Sequence, residues 1–223
     1  MHNNKAIDEL SEILKNIINS GKLIFRGVSN VDEYKLIPKI GRDKYTKDKE
    51  RTILDSFKSQ AIPLLKSIPN TQLDWLSLAQ HYGLSTRLLD WTDNTLVALY
   101  FAAKGDDKKD GAIHALEIAA YEEYEHRKFL TANDKDLFTQ LPEPFFILRP
   151  NIIDNRILIQ QSLFTLSGNP RREIKTKYIF KISSNLKPNI LFLLDKIGIN
   201  EKSLFPGLDS LSQYLNVNYK KFM

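Results

Sequence analysis

Three stretches of this chain set chemically capable side chains in apolar surroundings. The first is Phe25-Arg26-Gly27, which closes the run Lys22 to Arg26. An arginine at the end of an apolar strand is costly to bury unless it is paired or bound to an anion. Its planar fork suits a phosphate or carboxylate through two parallel hydrogen bonds, and the glycine after it lets a backbone or a ligand come close. The competing reading is an arginine that snorkels from the strand end to a surface acid. The second stretch is the densest polar run in the chain, Gln80-His81-Tyr82-Gly83-Leu84-Ser85-Thr86-Arg87-Leu88-Leu89-Asp90-Trp91-Thr92. Between two apolar helices there is little room for unsatisfied polar groups, so this run is either a hydrogen-bonded hub or the lining of a pocket. An aromatic beside hydroxyls and an arginine can stack a ring and hold its phosphates. The third stretch, Asn155 to Thr165, carries Gln160 and Gln161 inside an apolar run. Buried, they need partners; alternatively one simply faces solvent.

Other chemistries lack their signatures. There is no phosphate-binding P-loop and no GxGxxG, and no GxSxG nucleophile turn. His2, His81, His114 and His126 do not fall at metal-ligand spacing, so no metal is expected. Glu122, Glu123 and Glu125 sit in a charged stretch that reads as a solvated face.

The elements that must position these groups follow from periodicity and breakers. Residues 5–20 place Ile7, Leu10, Ile13, Leu14, Ile17 and Ile18 on one helical face, and Gly21 stops that helix. Lys22 to Arg26 reads as a strand bounded by glycines. Residues 48–67 read as a helix that Pro63 kinks or ends near Ala61. Further helices are expected over about 72–82, stopping at Gly83, and over 95–104, capped by Asp93 or Asn94. Gly105 to Gly111 is a loop leading to a strand at 112–118. Residues 140–151, rich in proline, read as extended loop or edge strand, and 155–165 is ambiguous between helix and strand. A strand at Tyr178 to Ile182, a helix over 186–197 begun by Pro188 and a short helix over 208–215 complete the chain. Helices and strands intermix without a βαβ rhythm, which indicates one α+β domain with a mixed or antiparallel central sheet and packed helices.

Composition agrees with a globular protein: 223 residues, 42% hydrophobic and 26% charged. The absence of cysteine excludes disulfides and thiolate metal sites. No segment resembles a signal peptide or a membrane span, so cytoplasmic residence is the expectation. The net charge of +5 favours anionic partners such as nucleotides, nucleic acid or acidic protein faces, unless it is no more than a solubility surface.

Together the three stretches resemble the FRG domain family, named for its Phe/Tyr-Arg-Gly motif. The resemblance runs from about Lys22 to Leu215. It takes in Phe25-Arg26-Gly27, Gln80-His81-Tyr82-Gly83, Thr86 to Thr92, Leu96 to Ala102, Arg156 with Gln160-Gln161 and Phe164, and Ser203-Leu204-Phe205-Pro206-Gly207-Leu208-Asp209. Ser162, where many members carry Gly, and Ser85, where Pro is common, depart from the pattern. The resemblance implies a single FRG domain over residues 1–223, with an N-terminal helix over 1–21 and a core over 22–216. The motif order is similar to that of the ADP-ribosyltransferase fold, which implies an enzyme acting on NAD, of the kind that serves as a toxin or antiviral defence effector. On that reading Arg26 grips the pyrophosphate, and Gly27, Tyr82, Thr86, Arg87, Trp91 and Gln160 complete the NAD site. His81, Asp90, Thr92 and Gln161 take the catalytic places. A neutral amide at Gln160 or Gln161, where those enzymes carry a catalytic glutamate, stabilises a ribosyl cation less than a carboxylate does. The alternatives are a non-catalytic module that binds a nucleotide or nucleic acid through the same pocket, and a protein-interaction domain.

Overall fold

A computed structural model of the chain describes residues 2–18, 21–42, 47–118, 138, 145–152 and 154–219. The expected features at residues 119–137 and 139–144, including the acidic stretch 122–125 and His126, lie outside the described residues. The helices are α1 (His2–Ile18), α2 (Lys39–Arg42), α3 (Lys47–Ala61), α4 (Gln72–His81), α5 (Thr95–Ala103), α6 (Asn155–Ile159), α7 (Lys187–Lys196), α8 (Glu201–Leu204) and α9 (Leu208–Tyr219). The strands are β1 (Leu23–Val28), β2 (Leu88–Thr92), β3 (Gly111–Glu117), β4 (Phe146–Leu148), β5 (Ser162–Leu166) and β6 (Tyr178–Ile182). They form one six-stranded sheet in the order β4-β5-β2-β1-β3-β6, and every neighbouring pair is antiparallel. The architecture is α+β.

Helices cover one face. Leu23 and Phe25 of β1 and Ile113 and Ala115 of β3 pack with α5 and with Ile13, Ile190, Leu194 and Leu204 from α1, α7 and α8. Leu88 of β2 and Phe164 and Leu166 of β5 pack beside them against Leu54 of α3 and Leu73, Leu76 and Ala79 of α4. The opposite face carries Ile24, Leu89, Trp91, Ala112, Leu116 and Leu163. It is closed mainly by irregular chain, through Leu36, Phe145 and Ile174.

The breakers act where the residue types require. Helix α3 ends at Ala61, and Pro63 sits in a 3₁₀ turn over Ile62–Leu64. Helix α4 is followed by Gly83 at φ 88°, a left-handed value that costs glycine nothing. Asn94, one of the two expected caps, accepts from the Leu96 and Val97 N–H groups at 3.0 and 3.4 Å.

Two segments differ from the sequence reading. The polar run 80–92 is not only a connection between helices, because its second half is β2, a central strand. Leu89 and Trp91 face one core while Leu88 and Thr92 face the other, so no in-out alternation marks this strand. The ambiguous run 155–165 is both structures in turn: the short α6, then β5. The switch falls at Gln161, whose φ of 47° makes it the non-glycine left-handed residue among those described.

Candidate functional site

The sheet is nearly split in the middle. One residue pair, Phe25–Thr92, joins β1 to β2, whereas six pairs join β1 to β3 and five join β2 to β5. Beyond that pair the chain runs through Arg26 and Gly27 on one side and back through Trp91 and Asp90 on the other. Strands that diverge leave backbone groups without their ladder partners, and these must be satisfied some other way. Arg26 does this. Its Nη1 donates to the Asp90 carbonyl at 2.6 Å and lies 3.5 Å from Asp90 Oδ2.

A cleft of about 240 Å³ opens at this divergence. Its floor is buried and mostly apolar, with Phe25, Val97, Ile157 and Phe164 joined by the polar Ser77 and Thr92. Its mouth is polar, with Arg26, Gln80, His81, Asp90 and Arg156. Asp90 is the carboxylate among the described lining residues, and its side chain is 59% exposed. It is held by a relay. The Thr86 hydroxyl donates to Gln80 Oε1, and Gln80 Nε2 donates to Asp90 Oδ1 at 2.6 Å.

The two arginines hold unspent donors. Both Arg26 bonds come from Nη1, which leaves Nε and Nη2 without an acceptor among the described residues. The Arg156 guanidinium makes no hydrogen bond or ion pair among them, and stacks 4.5 Å from the Phe205 ring centre. Burial pushes both groups below the ordinary arginine pKa. Asp90 opposes that shift at Arg26, and Asp90 and Asp154 oppose it at Arg156. Desolvation outweighs these carboxylates at both sites, and a bound anion would relieve it.

The residues expected from sequence divide into two groups. Arg26, Gly27, His81, Asp90, Trp91, Thr92 and Gln160 line the cleft, although they span most of the chain. Several are engaged. Gly27 faces α5 closely enough that a Cβ there would lie 1.9 Å from the Ala98 carbonyl oxygen, so its role is helix packing. Thr92 Oγ1 donates to the Gln160 carbonyl at 2.6 Å and accepts from the Asn94 N–H at 3.0 Å, pinning the end of β2 to the end of α6. Gln160 Nε2 donates to the Leu204 carbonyl at 3.0 Å. Trp91 donates its indole N–H to Thr165 Oγ1 at 3.0 Å and packs into the far core, so it offers no free face for stacking. His81 Nε2 lies 3.7 Å from Asp154 Oδ2, tying the end of α4 to the cap of α6.

The others lie outside the lining. Arg87 is fully buried in a two-point pair with Glu50, at 2.8 and 2.6 Å, and lies over the Phe138 ring. It is a core cation, since a buried guanidinium is held by its own carboxylate. Tyr82 follows α4 and is 68% exposed. Gln161, on its left-handed turn, is exposed; it bonds through its carbonyl to the Asp93 N–H at 3.3 Å. The left-handed turn places its side chain away from the cleft that its neighbour lines. Thr86 acts behind the cleft, through Gln80. Sequence reasoning named Gln80 and Arg156 only as members of larger motifs, without an individual role, and did not name Ser77. For Ser77 the available signal was spacing, because Ser77, Gln80 and His81 stand at i, i+3 and i+4 on one helical face.

Residues 21–111 match the FRG domain family. The match covers Arg26, Gly27, Gln80, His81, Asp90 and Thr92, and stops before Arg156 and Gln160. Neither the curated proteins nor the solved structures yield a match to this chain.

Proposed function

We propose, for a chain whose residues 21–111 match the FRG domain family, that the cleft between β1 and β2 binds a nucleotide of the NAD class, as an ADP-ribosyltransferase-like protein would. The observation that carries this reading is the pairing of two under-compensated guanidiniums, Arg26 and Arg156, with a floor of aromatic and aliphatic side chains. Two cations against one lining carboxylate leave the mouth positive. A planar guanidinium suits a diphosphate through paired hydrogen bonds. The cleft is smaller than the roughly 300 Å³ at the lower end for sites that engulf a drug-sized ligand. One ring and its sugar therefore enter, and the diphosphate stays at the mouth beside the arginines.

Transfer chemistry, on this reading, rests on Asp90 and not on the 160–161 turn. When the bond from ribose to nicotinamide breaks, its electron pair leaves with nicotinamide and the sugar becomes an oxocarbenium ion. An acceptor nucleophile then forms the new bond and gives up its proton. A fixed carboxylate stabilises that cation. Asp90 is fixed by Gln80 and Arg26, whereas Gln160 is turned to Leu204 and Gln161 is outside the cleft.

The test is calorimetric titration of NAD, ATP and single-stranded nucleic acid, each alone, with nicotinamide release followed in parallel. NAD binding should fall about tenfold or more in Arg26→Ala, because a charge-assisted hydrogen bond contributes roughly 1.5–3 kcal/mol. Arg26→Lys should recover part of it, lacking the planar fork. Release that survives in Asp90→Asn would end the transferase mechanism and leave binding. A wild-type protein that binds none of the three ligands would end the whole reading.

A further inference from the structure

Among the described residues nothing pairs with the hydroxyl of Ser77. It lies on α4, is 2% exposed, and lines the cleft floor among Phe25, Val97, Ile157 and Phe164. Its Oγ is shielded from water and has no hydrogen-bond partner among the described residues. Buried polar groups in folded proteins are nearly always satisfied, and an exception calls for an explanation. Thr92, the other floor hydroxyl, has two partners. Alanine at position 77 would spare the fold an unmet polar group and would suit a helix interior better.

Resting on the nucleotide reading above, we infer that Ser77 is the specificity determinant of the cleft floor. It accepts the polar edge of a planar, uncharged heterocycle, through a carboxamide or an exocyclic amine. The surroundings fit that chemistry. The floor residues beside Ser77 are aromatic or aliphatic, which favours a flat apolar ring. The arginines stand at the mouth, which places an anionic tail there. One turn further along α4, Gln80 and His81 continue the same polar stripe toward the mouth. Ser77 thus offers a single hydrogen bond at the end of the cleft where a ring must stop. A hop between staggered χ1 wells is the movement that presents the oxygen to a ligand.

Two kinds of ring share this chemistry, the pyridine carboxamide of NAD and a purine with an exocyclic amine. Nicotinamide mononucleotide, AMP and ribose 5-phosphate separate them, since the last carries the phosphate and no ring. Each is titrated into the wild type and Ser77→Ala, with a melting curve for both proteins. In the wild type at least one ring-bearing ligand should bind more tightly than ribose 5-phosphate, and the tighter one identifies the ring. Ser77→Ala should weaken that ligand by about five- to tenfold and leave ribose 5-phosphate unchanged, while its melting temperature holds or rises. Equal affinities for a ring ligand in both proteins would overturn the role of Ser77 and leave the nucleotide reading standing. A clear fall in melting temperature would overturn it too, by showing that the hydroxyl is structural. Failure of all three ligands and of NAD to bind the wild type would overturn both.

Discussion

At the scale of single residues, the two halves of the Arg26-Gly27 pair do different work. Arg26 spans the gap between diverging strands and keeps most of its donors for a ligand. Gly27 has no chemistry, but it sets how near α5 can lie. A Cβ at position 27 would meet the Ala98 carbonyl oxygen at 1.9 Å and the Ala102 nitrogen at 2.6 Å, both backbone atoms of a helix that cannot yield locally. Gly111 on β3 meets α5 in the same way, 2.1 Å from the Ala102 carbonyl oxygen. Gly27→Ala should therefore displace the helix and cost about 3 kcal/mol, the upper end for overpacking, read as a lower urea midpoint. The ligand site should suffer with it, because Val97 and Phe101 of α5 line the cleft. A variant as stable as the wild type would show that α5 can shift freely. The motif was legible in the sequence as arginine plus close approach. Whether the close approach was by a ligand or by backbone was not, since a glycine has the same appearance in both cases.

At the scale of elements, the cleft depends on three helix ends: the last turn of α4, the first turn of α5 and the short α6. Each is fixed by a side chain. His81 and Asp154 tie α4 to α6, and Thr92 ties β2 to the residue that ends α6. Asn94 satisfies two N–H groups that would otherwise lack partners at the start of α5. Asn94→Ala should lower stability by about 1 kcal/mol, measured as a urea midpoint shift at unchanged slope. A changed slope would mean instead that α5 frays and exposes core. The strand β2 was hidden in the sequence for an element-scale reason. A strand buried on both faces shows no alternation, and its one exposed residue, Asp90, reads as part of a polar cluster. The α6–β5 segment was hidden for another. Five residues of helix are too few to establish a period, and the turn at Gln161 carries no glycine to announce it.

At the scale of the whole molecule, stability should depend on pH through a buried histidine. His114 of β3 stands opposite Arg26 of β1 and bonds through Nδ1 to Thr176 Oγ1 at 3.0 Å. Burial and then the Arg26 charge hold its imidazole below the ordinary pKa, against a pull from Glu173. The unfolded chain therefore takes up this proton first as pH falls through about 6.5. The stabilisation is present above that value and is lost below it, until the folded imidazole protonates too. The melting temperature should fall between pH 7.5 and 5.5, and fall less in His114→Gln. Equal falls in both proteins would assign the effect elsewhere. Local sequence determined the helix ends at Ala61 and Gly83, the strands β1, β3 and β6, the α+β class and the motif that marks the FRG domain, because breakers and periodicity act on near neighbours. Tertiary structure decided the rest. It sent Arg87 to Glu50 and Arg26 to Asp90, although both arginines lie in polar motifs, because pairing depends on which carboxylate the fold brings within reach. It also brought Arg156 and Ser77 to one cleft, because strands that part after a single pair leave a gap that residues distant in sequence must fill.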